Sequence, residues 1–184
     1  CGLFVWLQRR PGMAATPGGR ACFVVGVVVL AFSLLSPLDE LSDRYLLTAH
    51  MLQHLLLVLL AAPLLVRALP RRWAERLAMP PVAAFLLFNA AFAFSHLPIW
   101  YEAALVSEPL HVLEHVVYVA TAMLNWLPVL SPARERRLPQ ALQMLYLFLE
   151  TLPMFLVGSL LALSETVVYP FYSRAPRITD MTPI

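Results

Sequence analysis

The segment AHMLQHLLLVLLAAPLLV, residues 49–66, decides the fold of this chain. It lies in an uncharged run of 22 residues between Arg44 and Arg67. Such a run is long enough to cross the hydrocarbon core of a bilayer, which takes about 20 residues of helix. His50 and His54 stand one helical turn apart near its start. The segment therefore predicts a transmembrane helix with two imidazoles on one face close to one end.

The composition of the whole chain is that of an integral membrane protein. Of the 184 residues, 60% are hydrophobic and only 13% are charged, and the charges form short clusters between apolar runs. This pattern is not that of an ordinary soluble domain. Five spans are predicted, at about 21–38, 45–66, 78–98, 109–131 and 138–163.

These spans predict one integral membrane domain, residues 1–184. The predicted fold class is all-α, a polytopic transmembrane helix bundle of at least five spans that is a fragment of a larger bundle. Residues 1–7 are predicted to be the tail of an earlier span. A cleaved signal peptide is not expected, because no charged n-region and no small-residue cleavage site are present.

The connections between the spans alternate in charge. Three of them are rich in arginine, and these contain Arg9, Arg10 and Arg20, then Arg67, Arg71, Arg72 and Arg76, then Arg134, Arg136 and Arg137. The positive-inside rule places them on the cytoplasmic side. The two remaining connections are acidic and are predicted to face outward.

All five histidines lie near the outward ends of predicted spans. His50 and His54 open the second span, His96 closes the third, and His111 and His115 open the fourth. Imidazole is costly in lipid, so five imidazoles at one depth indicate a shared role. An i, i+4 pair can chelate a single ion from one helix face.

The predicted ligands are five imidazoles and one thioether: His50, Met51, His54, His96, His111 and His115. Imidazole suits copper, zinc, iron and nickel, and a neighbouring thioether favours Cu(I). Copper is therefore the predicted metal. The alternative for a single HxxxH pair is structural, with each ring hydrogen-bonded to its neighbours.

Two carboxylates lie inside the apolar runs. Glu114 is predicted to orient a histidine ring, to bind the metal, or to face the bundle as a satisfied polar residue. Glu150 either stays protonated, pairs with a cation or polar group, or faces the path of the metal. Asn89 and Asn125 are predicted to make interhelical hydrogen bonds.

Other functions have weaker support in the sequence. Nucleic-acid binding is not expected, since the arginines occupy short membrane loops and form no continuous basic face. Cys1 and Cys22 form no CxxC pair, and no nucleophile elbow, phosphate loop or HExxH motif is present. Two alternatives remain open: a haem- or diiron-binding redox protein, with His54 and His115 as axial haem ligands, and a purely structural oxidase-associated subunit.

Several motifs resemble one known family. They are SPLDEL (36–41), AHMLQHLLLVLLAAPLLV (49–66), SHLPIWYEAAL (95–105), HVLEHVVYV (111–119) and YPFY (169–172). Together they are similar to the CtaG family of multi-spanning assembly factors for caa-type cytochrome c oxidases. The resemblance covers about residues 26–172. It marks the six predicted ligands and, more weakly, Asp39 and Tyr101.

The resemblance implies a polytopic protein of the bacterial plasma membrane. Such a protein takes part in building the oxidase and in supplying copper to its catalytic subunit. Family members continue beyond the YPFY-like segment through a DQ-containing stretch, whereas this chain ends at ITDMTPI, so a fragment is expected. The predicted function is thus an assembly factor, not an enzyme, that binds copper at an outward-facing His/Met site and delivers it to an oxidase subunit. The oligomeric state is left open.

Overall fold

The computed structural model describes residues 17–173, and over this range it contains helices and no β-strand. The predicted all-α class is therefore confirmed. The predicted span tail at residues 1–7 lies outside the described residues. In chain order the helices are α1 (Pro17–Leu35), α2 (Pro37–Arg44), α3 (Leu47–Leu56), α4 (Ala62–Ala68), α5 (Arg71–Leu77), α6 (Pro81–Ser95), α7 (Pro98–Val106), α8 (Glu108–Leu130), α9 (Gln140–Ala162) and α10 (Pro170–Ser173).

Four helical segments are long and apolar enough to cross a membrane. They are Gly18–Leu35, Leu47–Ala68, Glu108–Leu130 and Gln140–Ala162. The second combines α3 and α4, which are joined by a π-helical turn, Leu57–Ala61. These segments correspond to the first, second, fourth and fifth predicted spans.

The third predicted span, 78–98, differs from the prediction. Its helix α6 has only 15 residues, or about 22 Å at 1.5 Å per residue, which falls short of a hydrocarbon core of about 30 Å. Together with α5 it is long and apolar enough to cross a membrane, but the axes of the two helices differ by 79°. The cause is Pro80 followed by Pro81, because the residue before a proline is pushed out of the helical region. Residues 17–173 therefore contain four helical segments that could each span a membrane, or five when this bent pair counts as one.

The second and fourth spans form the centre of the bundle. Half of each is buried, whereas only 17% of the first and 11% of the last is buried. Large side chains of the outer helices, such as Phe32 of α1 and Phe155 of α9, are mostly exposed. In a bilayer this exposed apolar surface faces lipid. One central cluster joins the π-helical turn, α4, α6 and α8 through Val58, Ala62, Phe88, Phe92, Tyr118 and Ala122.

Helix α1 packs closely on α4 because Gly26 lacks a side chain. A Cβ atom at Gly26 would lie 3.1 Å from Leu65 Cδ2 and 3.3 Å from Leu64 Cβ. Small residues permit such close approach between membrane helices.

The π-helical turn has a specific cause in the sequence. The Ala62 N–H donates to the carbonyl of Leu57, five residues earlier, in place of the Val58 carbonyl that an α-helix would give it. A continued π pattern would supply Val58 with the N–H of residue 63. That residue is Pro63, which has no N–H. The Trp126 indole of α8 donates to the Val58 carbonyl instead, at 2.8 Å.

Candidate metal centre

Four of the five histidines meet between α3 and α8. The ring centroids of His50 and His54 are 4.3 Å apart, and those of His111 and His115 are 4.4 Å apart. Across the two helices, His50 lies 6.0 Å from His111 and His54 lies 5.4 Å from His115. Each HxxxH pair thus faces the other, as the i, i+4 spacing allows. We call these four residues the histidine cluster, and their end of the bundle the histidine end.

The cluster is buried, and much of its hydrogen-bonding capacity is unused. His50 is 1% exposed, His54 4% and His115 7%. Both ring nitrogens of His50 and of His54, and the Nε2 atoms of His111 and His115, have no hydrogen-bond partner among the described residues. Since an unsatisfied buried polar group costs about 1–3 kcal/mol, so many of them in one place are not explained by packing. Unpartnered nitrogen lone pairs fit the donor set that a transition metal requires.

One carboxylate joins the cluster. Asp43 Oδ2 of α2 lies 3.3 Å from His111 Nδ1. Candidate ligand atoms of Asp43, His50 and His111 all lie within 4.8 Å of one another. Burial alone would raise the pKa of the Asp43 carboxyl, but the hydrogen bond and charge of His111 outweigh it and lower the pKa below its ordinary value. A carboxylate on one ring nitrogen fixes the tautomer and leaves the other nitrogen for a metal.

Gln53 anchors the helix that carries Asp43. Its side chain is fully buried, and its Nε2 donates to Ser33 O at 2.8 Å and to Asp39 Oδ1 at 2.7 Å. Ser42 Oγ lies 2.9 Å from both Gln53 Oε1 and Asp43 Oδ1. One amide between the two histidines of HMLQH therefore links α1, α2 and α3. The predicted family position Asp39 takes part in this network and not in the cluster itself.

Three tyrosines cover the histidine end. Tyr101 of α7 packs its ring edge-on to His50, with centroids 5.0 Å apart. Its hydroxyl lies 3.0 Å from that of Tyr172, which donates to Ser42 O at 2.6 Å. Tyr169 OH donates to His96 O at 3.0 Å. Burial, with the neighbouring tyrosine hydroxyls, raises the pKa of Tyr101 above its ordinary value, so its hydroxyl stays protonated and serves as a hydrogen-bonding cover.

Two predicted ligands lie apart from the ring contacts of the cluster. His96 packs on Phe92 with centroids 4.3 Å apart, and its Nδ1 lies 2.8 Å from the Phe92 carbonyl oxygen. Met51 packs against the tyrosine cover. Both residues line a small cavity that borders His54.

The two intramembrane carboxylates have different surroundings. Glu150 accepts from Asn89 Nδ2 at 3.2 Å, so of the alternatives for Glu150 the structure shows a polar partner. Asn125 accepts from the Tyr146 hydroxyl, and both asparagines make the interhelical bonds predicted for them. Glu114 has no hydrogen-bond partner for either oxygen among the described residues. It therefore does not orient a histidine ring through a hydrogen bond, and Asp43 has that position on His111.

The two axial ligands of the haem alternative are already in contact with each other. The ring centroids of His54 and His115 lie 5.4 Å apart, with their ring planes at 80°. For a diiron centre the described residues bring only one carboxylate, Asp43, to the ligand-atom group.

The matching family model is described as cytochrome c oxidase caa3 assembly factor (Caa3_CtaG), and the match covers residues 2–183. The chain belongs to this family. The resemblance noted from the motifs is thus confirmed over nearly the whole length. Neither the curated proteins nor the solved structures gave a match.

In this caa3 assembly factor the cluster is open on one side. A groove of about 1090 Å³ runs beside it between α1, α2 and α8, and His111, His115 and Asp43 are among its lining residues. The groove gives an ion a route to the cluster that does not pass through the core of the bundle.

Sequence reasoning about this family member missed two site residues, Asp43 and Gln53. Asp43 was counted only as one of several acids in an outward connection. Gln53 was not considered, although a glutamine inside an apolar span is itself a signal, because its amide must find partners.

Proposed function

We propose that the histidine cluster binds a copper ion and that this assembly factor delivers the ion to a subunit of its oxidase. The observation that carries the proposal is the set of buried, unpartnered imidazole nitrogens on two facing helices. One ion would satisfy several of these nitrogens at once. In this proposal copper is cargo, and the protein itself catalyses no reaction.

Copper is favoured over the other metals that imidazole binds. Neutral imidazole suits copper, zinc, iron and nickel alike, so the donor set alone does not choose among them. The family assembles a cytochrome c oxidase, and copper has to be supplied to the catalytic subunit of that enzyme. The function of the family therefore supports copper as the ion handled here.

Delivery requires that the ion can leave. A closed tetrahedral cage holds a structural metal, whereas an open position is needed for exchange. The groove beside His111 and His115 leaves one side of the cluster accessible. The proposal also places the protein in the bacterial plasma membrane with the histidine end outward. The arginines of the segment that holds α5, and of the segment between α8 and α9, support this orientation by the positive-inside rule.

The direct test loads the purified full chain and two paired variants with Cu(II) and measures the copper that they retain. One carries His50→Ala with His54→Ala, and the other carries His111→Ala with His115→Ala. If the four rings bind one ion, either pair of substitutions should remove most of the bound copper. The combined variant should then lose little more, because ligands of one ion act non-additively. Elemental analysis after dialysis against a weak chelator gives the copper content.

Stability supplies the control for folding. Copper should raise the midpoint of thermal unfolding of the parent chain, because a ligand that binds only the folded state stabilises it. Neither paired variant should respond to Cu(II), although each should keep its helical circular dichroism. Equal copper content in the parent and in the combined variant would refute binding by the cluster.

The delivery step is tested in cells. The combined variant should lower cytochrome oxidase activity at limiting copper, and added copper should partly restore the activity of a variant that only weakens the site. Full oxidase activity of the combined variant at low copper would refute an assembly role for these histidines and favour a structural subunit.

A further inference from the structure

A second candidate site lies on the far side of His54. A cavity of about 160 Å³ is lined by residues of α3, the end of α6, α8 and α9. Its lining includes the thioethers of Met51 and Met154 and the imidazoles of His54 and His96, and most of the remainder is apolar. We call it the methionine cavity. Its volume exceeds the roughly 30 Å³ that one water takes in the liquid, so the two methionines do not simply fill it.

A backbone hydrogen bond fixes the tautomer of His96. Its Nδ1 lies 2.8 Å from the Phe92 carbonyl oxygen, which can only accept a hydrogen bond. Nδ1 therefore carries the hydrogen, and in the neutral ring Nε2 keeps its lone pair. No hydrogen bond engages Nε2 among the described residues. A metal-binding histidine typically shows this arrangement, with one nitrogen donating to a carbonyl and the other left for the ion.

His54 belongs to both sites. Its ring contacts His50 and His115 in the histidine cluster and also lines the methionine cavity. Neither of its nitrogens has a hydrogen-bond partner in residues 17–173. A ring with two unengaged nitrogens at the boundary of two sites can serve either one.

The donor set of the cavity selects the ion. Thioethers are soft ligands and favour Cu(I) over the harder divalent ions. No carboxylate lines this cavity, so a divalent ion would bring two charges into an apolar space without compensation, at high cost. A monovalent soft cation brings only one. The lining therefore suits Cu(I), or its chemical analogue Ag(I).

We propose that Met51, Met154, His54 and His96 form a second binding site, for Cu(I), separate from the histidine cluster. The bundle then has two adjacent metal sites, one of imidazole with a carboxylate and one of thioether with imidazole. Helix α9 contributes no residue to the histidine cluster, but through Met154 it would contribute a ligand to the second site. The two sites share only His54, so this proposal does not require the cluster to bind copper.

The test compares Cu(I) affinity in variants of the full chain, purified in detergent without oxygen, with Cys1 and Cys22 replaced by serine. All of these variants also carry His50→Ala with His111→Ala, so that the histidine cluster does not compete for Cu(I). The test variant carries Met51→Leu with Met154→Leu, a volume-conserving change that cores tolerate. The matched control is Met144→Leu, at a position on α9 that is 70% exposed and does not line the cavity. Competition with a chromogenic Cu(I) chelator gives the affinity, and Ag(I) repeats the measurement without redox chemistry.

The test variant should bind Cu(I) at least about tenfold more weakly than the control, since losing even an outer partner of a metal site costs about 10- to 100-fold. X-ray absorption of the parent chain should show sulfur neighbours to copper that disappear in the test variant. His50→Ala with His111→Ala should leave this Cu(I) site intact. Failure of the second site can therefore be distinguished from failure of the cluster to bind copper. Equal Cu(I) affinity in test variant and control would overturn the proposal, as would loss of all Cu(I) in the His50→Ala, His111→Ala variant.

Discussion

The hydrogen bond from Trp126 to the Val58 carbonyl offers a sharp test of how the central span is built. Pro63 leaves that carbonyl without its backbone donor, and the indole supplies one at 2.8 Å. Trp126→Phe keeps an aromatic ring but removes the N–H. An orphaned buried carbonyl costs about 1–3 kcal/mol, and side-chain hydrogen bonds in membrane bundles reach about 1.7 kcal/mol. We therefore expect the hydrogen-bonding part of the loss in unfolding free energy to be about 1–2 kcal/mol.

A second substitution separates this loss from the change in volume. Pro63→Ala restores a backbone N–H that can reach Val58 directly, or lets the turn return to α-helix so that the Ala62 N–H does so. In the Trp126→Phe background, Pro63→Ala should therefore recover about 1–2 kcal/mol more than it changes in the parent. The volume lost with the indole would not be recovered.

The assay is reversible unfolding by sodium dodecyl sulfate in mixed micelles, followed by far-ultraviolet circular dichroism. Pro153→Ala is the control, because Pro153 lies inside α9 and not in the span that contains Val58. It should not rescue Trp126→Phe. If Pro63→Ala and Trp126→Phe are additive, the explanation of the π-helical turn is wrong.

Three further predictions concern packing, the network at the histidine end, and topology. Gly26→Leu should lower the unfolding free energy by about 1–3 kcal/mol through overpacking. Gly18→Leu should change it little, because an added Cβ at Gly18 meets nothing within 4 Å. Equal effects of the two substitutions would contradict the close contact of α1 with α4. Gln53→Leu should lower the unfolding free energy by about 2–4 kcal/mol in the same assay, because the Gln53 amide donates to a carboxylate and to a buried carbonyl on two other helices. A loss under about 0.5 kcal/mol, the range of ordinary surface changes, would refute that role. In a cysteine-free background, Glu108→Cys should react with an impermeant thiol reagent on intact cells and Gln140→Cys should not; the reverse pattern would place the histidine end in the cytoplasm.

The sequence predicted the elements that follow from local pattern. Long apolar runs predicted the four clear spans, and the i, i+4 spacing put His50 with His54 and His111 with His115 on two helix faces. Both pairs begin their spans from the same side, so their meeting followed from topology without any knowledge of packing. These are features that depend on residues close in sequence.

The prediction was less complete where distant residues decide the structure. The bend between α5 and α6 depends on Pro80 and Pro81, and the single straight span predicted at 78–98 did not include it. Asp43 reaches His111 because α2 folds back against α3, and no periodicity in an eight-residue helix shows its partner. His96 was predicted at the same end of the bundle, but its place in the sequence does not reveal that its ring packs on Phe92 and lines a cavity with His54 and Met154.

The histidine end is held together differently from the rest of the bundle, and this difference bears on access to the histidine cluster. Helix α2 begins where Ser36 caps its first turn, with its side chain accepting from the Leu38 N–H at 3.1 Å, and Ser42 is its one fully buried residue among those described. Its attachment therefore rests on the hydrogen bonds of Gln53 and Tyr172 more than on apolar burial. Each such bond contributes about 0.5–1.5 kcal/mol, or about 1.5–3 kcal/mol when one group is charged, so α2 can separate at a cost of a few kcal/mol. Helices α3 and α8 carry the histidines and are fixed in the core, so separating α2 would remove Asp43 and widen the groove while the four imidazoles keep their places.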